Sequence, residues 1–251
     1  MDISTITIMR GEYELIPKLL KNLDFAREIH IVETNKEPLK RFFDNQKVII
    51  HHYPLEIGEA FDYARQIALK KIKSKWILIV DTDEMISKEL SLYLKKSIDK
   101  FEKDKIEGIW IPRLNHVLGQ KLKHTSSWPD YQLRLIQAKK AEFNNQIHNF
   151  VNTSISQKWL PAEEDLAIKH YNFESIDAFI KKLNVYSSIE AKNKKARKNS
   201  LLPLVVGFKE FLVRFIKMKG FLDGPYGLHY SILLGFYKYL IKLKEWEKIK
   251  K

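Results

Sequence analysis

The stretch WILIVDTDEMIS, residues 76–87, carries an apolar run into three acids, Asp81, Asp83 and Glu84, interrupted by Thr82 alone. An Asp after a strand commonly starts a turn. That explains one acid here better than it explains three. Alternate residues of an extended segment point to one side, so Asp81 and Asp83 are expected to converge. Two carboxylates held close repel unless a cation stands between them. Mg²⁺ or Mn²⁺ suits such a pair, because a hard ion takes oxygen ligands at about 2.1 Å and shares them with substrate phosphates. A cation so placed offsets charge developing on a departing phosphate. The expected metal ligands are therefore Asp81 and Asp83.

The elements that must position these acids follow from the hydrophobic pattern. Strands are predicted over 3–9, 28–33, 47–53 and 76–80, with helices over 12–23, 36–45 and 58–72 between them. Ser87 is a good N-cap for a helix running to about Phe101, and Glu89 suits its positive end. Strands over 108–112 and 132–137 come next. From Ser175 the chain reads as helical, with breaks near Pro203 and at 220–229. The fold class expected is α/β: a mostly parallel, mixed sheet with helices on both faces, plus a C-terminal helical extension. The sheet domain is set at 1–175 and the helical region at 176–251. In such sheets ligands bind beyond the carboxyl ends of the strands, where the acids of 81–84 lie.

The chain has 251 residues, a formal net charge of +13 and no cysteine. Roughly 150 residues per domain gives one or two domains. The charge favours an anionic partner without choosing among nucleic acid, acidic lipid and a phosphorylated substrate. The missing thiols exclude a disulfide framework and fit a reducing interior. MDISTITIMR lacks the basic and apolar regions of a secretion signal. A cytoplasmic location is expected, with any membrane contact peripheral, because no apolar run approaches the ~18 residues needed to span a bilayer.

A strand followed by Asp-x-Asp at this point of a β-α domain resembles the family 2 glycosyltransferases with the GT-A fold. Further motifs carry the likeness along nearly the whole chain. Arg10 and Glu12 in IMRGEYE resemble that family's Lys-Asn-Glu turn. Glu33 stands where an Asp touches the nucleoside. IGEAFDYAR resembles its Gly-x-x-x-Asn helix start, with Asp62 in the Asn place. WPDYQLRLI and QIHNFV are similar to the Pro-Asp-x-Gln-x-Arg-Leu and Val-His-Glu motifs of the subgroup containing lipopolysaccharide-core glucosyltransferases. IKHYNFESIDAFIKKLNVYSSIEA and GFLDGPYGL match its later helix and Asp-Gly-x-x-Gly turn. Gly11, Glu33, Phe61 and above all Asn149 depart from the pattern, since the subgroup has Glu after the His.

The resemblance implies a metal-dependent, inverting transfer from a nucleotide diphosphate sugar, UDP-linked, to a glycan or lipid-linked acceptor. It places Arg10, Glu33, Asp62 and Asp81 on the nucleotide. His148 becomes a third metal ligand or a phosphate contact, with His170 as second choice. Asn149 cannot act as a base; Asp130, after Pro129 in a loop entering a strand, either takes that role or simply serves the turn, with Glu84 and the run Glu163, Glu164 and Asp165 as fallbacks. Arg134 either holds a donor phosphate or pairs with an acid. Trp128 either stacks on an acceptor sugar or is core. The Lys-rich, aromatic C-terminal helices suit an anionic membrane surface, or simply pack on their own domain. A nucleic-acid-binding protein or metal nuclease is the alternative from another class, without zinc spacing or helix-turn-helix to support it. A non-catalytic nucleotide-sugar-binding relative is a second alternative.

Overall fold

The computed structural model describes residues 2–38, 45–55, 61–143, 155–173, 175–192, 194 and 198–249, with backbone alone at 61, 62, 172 and 173. Two compact units emerge, Met1–Arg113 with Tyr131–His170, and Leu114–Asp130 with Tyr171–Lys251.

The first unit is built on β1 (Ile3–Met9), β2 (Ile29–Glu33), β3 (Val48–His52) and β4 (Trp76–Ile79). These run parallel in the spatial order β3-β2-β1-β4. β1, β2 and β4 are buried throughout, although only β4 reads as a continuous apolar run; β1 buries Ser4, Thr5 and Thr7, and β2 buries His30 and Glu33. Successive side chains feed two cores. Ile3, Ile29 and Leu78 pack with Ile16 and Leu19 of α1 (Ile16–Asn22). Ile6, Val32 and Ile79 pack with Ala64 and Ala68 of α2 (Phe61–Leu69). Helices thus cover both faces. α1 starts later than the pattern predicts because Pro17, in its first turn, suits the position where no N–H is needed. The helix expected at 36–45 falls largely outside the described residues.

Beyond β4 the sheet becomes mixed. β5 (Glu84–Ile86) is followed by α3 (Lys88–Lys103), β6 (Gly108–Val117), β7 (Gln120–Lys121), β8 (Asp130–Gln137), β9 (Gln157–Trp159) and β10 (Ile168–Phe173). β8 lies antiparallel to β4, pairing Leu135 with Leu78. β10 lies antiparallel to β5, pairing His170 with Glu84. Ser87 caps α3 as its sequence predicts, its hydroxyl accepting from Leu90 N–H at 2.9 Å. β5 and β10 escaped the sequence reading. A three-residue strand that begins on an acid shows no alternation to read.

β2 and β3 also hold a titratable pair. His30 and His51 stack with ring centroids 5.2 Å apart and share a hydrogen bond of 2.9 Å. Burial, then the nearness of His30 and Lys71, pushes the His51 imidazole down to about 4. Unfolded, the ring titrates near ~6.5. Its contribution to stability is therefore complete above about pH 6.5 and lost as pH falls toward the folded value. Urea denaturation should show stability declining across that window, and His51→Gln should remove part of the decline. An identical pH profile for the variant would rule the pair out as its source.

The second unit contains α4 (Ile176–Lys192), α5 (Leu202–Leu212) and α6 (Gly224–Glu247). Val117, Leu122, Phe179 and Leu183 form its buried cluster, with Tyr230, Leu233 and Tyr237 packed against it. The break expected near Pro203 lies just before α5, which carries Pro203 in its first turn. Gly207 and Gly235 let α5 and α6 approach closely, since a Cβ on Gly207 would lie 3.0 Å from the Gly235 carbonyl.

Candidate functional site

Because β1, β2 and β4 are parallel, their carboxyl ends share one edge of the sheet. Arg10 follows β1, Glu33 ends β2, and Asp81 follows β4. Val80 N–H still bonds to Ile6 at 3.1 Å, so pairing with β1 persists to the threshold of the acids.

There the chain turns. Glu84 N–H donates to the Asp81 carbonyl at 3.0 Å, and Asp81 N–H donates to Glu84 Oε2 at 3.0 Å. The backbone bends at 81–84, so the alternation of an extended strand does not set the directions of the Asp81 and Asp83 side chains.

Arginines relieve the crowding of charge. Arg65 Nη2 of α2 donates to Asp81 Oδ1 at 2.8 Å, and Arg134 Nη2 of β8 donates to Asp81 Oδ2 at 2.7 Å. The same Arg134 nitrogen reaches Glu84 Oε1 at 2.5 Å, and Arg113 of β6 reaches that oxygen at 3.3 Å. Glu84 is wholly buried, Arg134 and Arg65 nearly so, whereas 33% of the Asp81 side chain is exposed. Burial alone would raise the Asp81 carboxyl, but the charges of Arg134 and Arg65 overcome it and hold the group well below the usual carboxylate range. The β4–β8 register brings Arg134 here, one residue beyond the Leu78–Leu135 pair.

Asp83 has a partner on β10. His170 Nε2 lies 3.3 Å from its Oδ2, and 28% of the Asp83 side chain is exposed. Glu33 is buried and accepts from Tyr13 O–H at 3.0 Å, while Asn35 donates to the same Tyr13 oxygen. Burial, then Glu33, raises the Tyr13 hydroxyl. Arg10 is exposed, and its backbone N–H donates to Glu12 Oε2 at 2.6 Å. In the second unit, Asp130 accepts from Asn115 Nδ2 at 3.1 Å. The Asp62 side chain, His148 and Asn149 lie outside the described residues.

This arrangement bears directly on a metal ion. Both Asp81 oxygens are engaged by guanidinium groups, and three arginines face two acids in the cluster, so Asp81 does not fit as a bare ligand. Asp83 fits better, as one carboxylate that would share an ion with phosphate oxygens. Among the described residues, no three Asp, Glu or His side chains gather as a metal site. A cavity of about 410 Å³ bordered by Asp2, Phe25, Ala26 and Arg27 lies at the amino end of β1, away from these acids.

Sequence reasoning missed Arg65 and Arg113. Each carried a usable signal: a charged residue on an otherwise apolar helix face beside Ala64 and Ala68, or inside the apolar strand GIWIPR, needs a buried partner.

No family model matches the chain. Among solved structures, S. aureus TarS aligns with all of this chain at a TM-score of 0.46 and 13% identity, and the chain spans about half of TarS, 55% of its length. The bifunctional IspDF from Campylobacter jejuni aligns over 66% of this chain and 51% of its own, with a TM-score of 0.43 and 14% identity. In sequence, the chain is 25% identical over 266 residues to an uncharacterized glycosyltransferase of Rickettsia bellii (strain RML369-C), an alignment that takes in 97% of this chain and 86% of that one.

Proposed function

We propose that this protein is a glycosyltransferase of the family 2, GT-A type that moves a sugar from a UDP-linked donor to a glycan or lipid-linked acceptor. The observation that carries the reading is the shared sheet edge, where Arg10, Glu33 and Asp81 stand at the carboxyl ends of adjacent parallel strands. That edge is where a nucleotide lies in an open α/β sheet. The end-to-end likeness to the Rickettsia bellii protein supports the same reading.

In it, Glu33 accepts from the nucleoside, and Asp81, fixed by Arg65 and Arg134, uses its exposed part to accept from the ribose. Asp62 contacts the base, and His148 assists at the diphosphate. Arg134 acts through Asp81 rather than on phosphate, because its guanidinium is already engaged by two acids. A divalent cation, Mn²⁺ or Mg²⁺, held by Asp83 and the donor's diphosphate would neutralise charge on the departing group. Asp130, at the head of the strand that carries Arg134, takes the acceptor hydroxyl's proton. The hydroxyl oxygen bonds to the anomeric carbon, the bond to the diphosphate breaks, and the configuration inverts.

One assay tests the whole reading: thermal shift and turnover with a panel of nucleotide sugars, with and without Mn²⁺. UDP-sugars should raise the melting temperature, and Mn²⁺ should enlarge the shift. Asp83→Ala should abolish the enlargement. Asp130→Asn should keep the donor shift and lose about 10²–10⁴-fold in turnover. A protein that ignores every nucleotide sugar but is stabilised by nucleic acid would end this proposal. Donor shifts with no turnover for any acceptor would favour the non-catalytic alternative.

A further inference from the structure

The second unit carries an apolar surface that the proposed chemistry does not use. Leu201 and, on α5, Leu204, Val205 and Phe208 are each 59–64% exposed. Their spacing of i, i+3, i+4 and i+7 places them along one helix face. Another side of α5 is spent on α6, against which Gly207 is buried. The surface continues past the end of the helix. Ile216, Phe221 and Leu222 are each at least half exposed. Behind them the Phe211 and Phe215 rings stack at 5.6 Å, and Phe221 meets Phe215 edge-on at 6.2 Å.

The charge around this surface is predominantly positive. Residues 198–222 hold five basic side chains, Lys198, Lys209, Arg214, Lys217 and Lys219, and one acid, Glu210. Arg214 already neutralises that acid at 2.7 Å. All four lysines are exposed. We propose that this face docks in the plane of an anionic lipid surface, with the apolar side chains entering the headgroup boundary and the lysines meeting acidic headgroups. The bulky, partly aromatic face ringed by lysine has the composition of an interfacial helix. Among the described residues no helix is long and apolar enough to cross a membrane, so the contact is with the surface. A second copy of the chain is a poorer occupant. Two-fold pairing on this face would set Lys209, Lys217 and Lys219 near their own counterparts.

This inference is independent of the sugar-transfer reading and is tested apart from it. The full chain should float with vesicles of phosphatidylglycerol and phosphatidylcholine, and far less with phosphatidylcholine alone. Leu204→Ser with Phe208→Ser should lower the partition coefficient by about tenfold or more. Lys209→Gln with Lys217→Gln and Lys219→Gln should erase the preference for anionic vesicles. These positions are exposed, so circular dichroism and melting temperature should match the parent. Three results would overturn the proposal: no flotation of the parent, equal flotation of the Leu204/Phe208 variant, or a parent dimer that this variant dissolves while vesicle binding is absent.

Discussion

Arg134→Met will cost the fold about 3 kcal/mol, the lower part of the range for removing one member of a buried charge group. Two observations set that size. Glu84 is wholly buried and Asp81 mostly so, which makes the loss of a bridging cation expensive. Yet each acid retains a second arginine, Glu84 at 3.3 Å and Asp81 at 2.8 Å, so neither is left bare. The bridge itself is imperfect, because one nitrogen serves both acids and Arg134 Nε is buried without a hydrogen-bond partner. In a chain this long, the melting temperature should fall by about 6–12 °C. Adding Glu84→Gln should recover part of the loss by removing a buried charge. Acid behaviour should change as well. The Asp81 carboxyl is depressed in the folded state, so its contribution is complete above the unfolded value of about 3.9 and fades only as pH falls through the lower folded value. In Arg134→Met that acid tolerance should shrink. Unchanged urea denaturation of the single variant would show that the cluster adds nothing to stability.

Gly227→Ala should be comparably severe for a different reason. A Cβ at position 227 would sit 1.9 Å from the Gly220 carbonyl oxygen and 2.8 Å from the Asp223 Cβ. Both neighbours belong to the chain's own backbone turn, so no flexible side chain can swing away. Asp223 cannot yield without loss either. It accepts from the backbone of His124 at 2.8 Å and of Lys123 at 3.2 Å, and pairs with His124 Nδ1 at 2.8 Å. A cost of about 3 kcal/mol follows, at the upper end for overpacking. Gly224→Ala is the control. Its Cβ would meet nothing within 4 Å, and only the backbone at φ +61° resists it, at about 1–3 kcal/mol. Melting curves of the two variants separate collision from strain, and a Gly227→Ala protein as stable as its parent would show that the turn opens freely.

GFLDGPYGL illustrates what the sequence makes legible. The glycines and the Asp could be read as a turn, but the reason Gly227 must lack a side chain exists only once Gly220 has folded back onto it. The sheet follows the same rule. WILI announces itself as a buried strand because a strand covered on both faces is apolar throughout, whereas ISTITIM shows its strand by its β-branched residues and buries Ser4, Thr5 and Thr7 as well. Ser87 could be recognised as a cap because capping is local. The pairing of Asp81 and Glu84 could not be assigned because Arg65, Arg113 and Arg134 arrive from three separate segments, and which acid Arg134 meets depends on the antiparallel register between β8 and β4. Alternation does not describe 81–84, because two bonds between Asp81 and Glu84, one between their backbones and one from the Asp81 N–H to the Glu84 carboxylate, close a turn there.

The same cluster bears on the order in which the molecule assembles. As the chain leaves the ribosome, the acid turn emerges before Arg113, and Arg113 before Arg134. Until strand β8 docks, Glu84 lacks the cation that bridges it to Asp81, and burying it beside β4 is unfavourable. The four parallel strands, complete by Ile79, must therefore wait for a segment synthesised some fifty residues later before their carboxyl edge can close. Nascent chains stalled short of that strand should keep this edge open to solvent, however early the apolar layers behind it have collapsed.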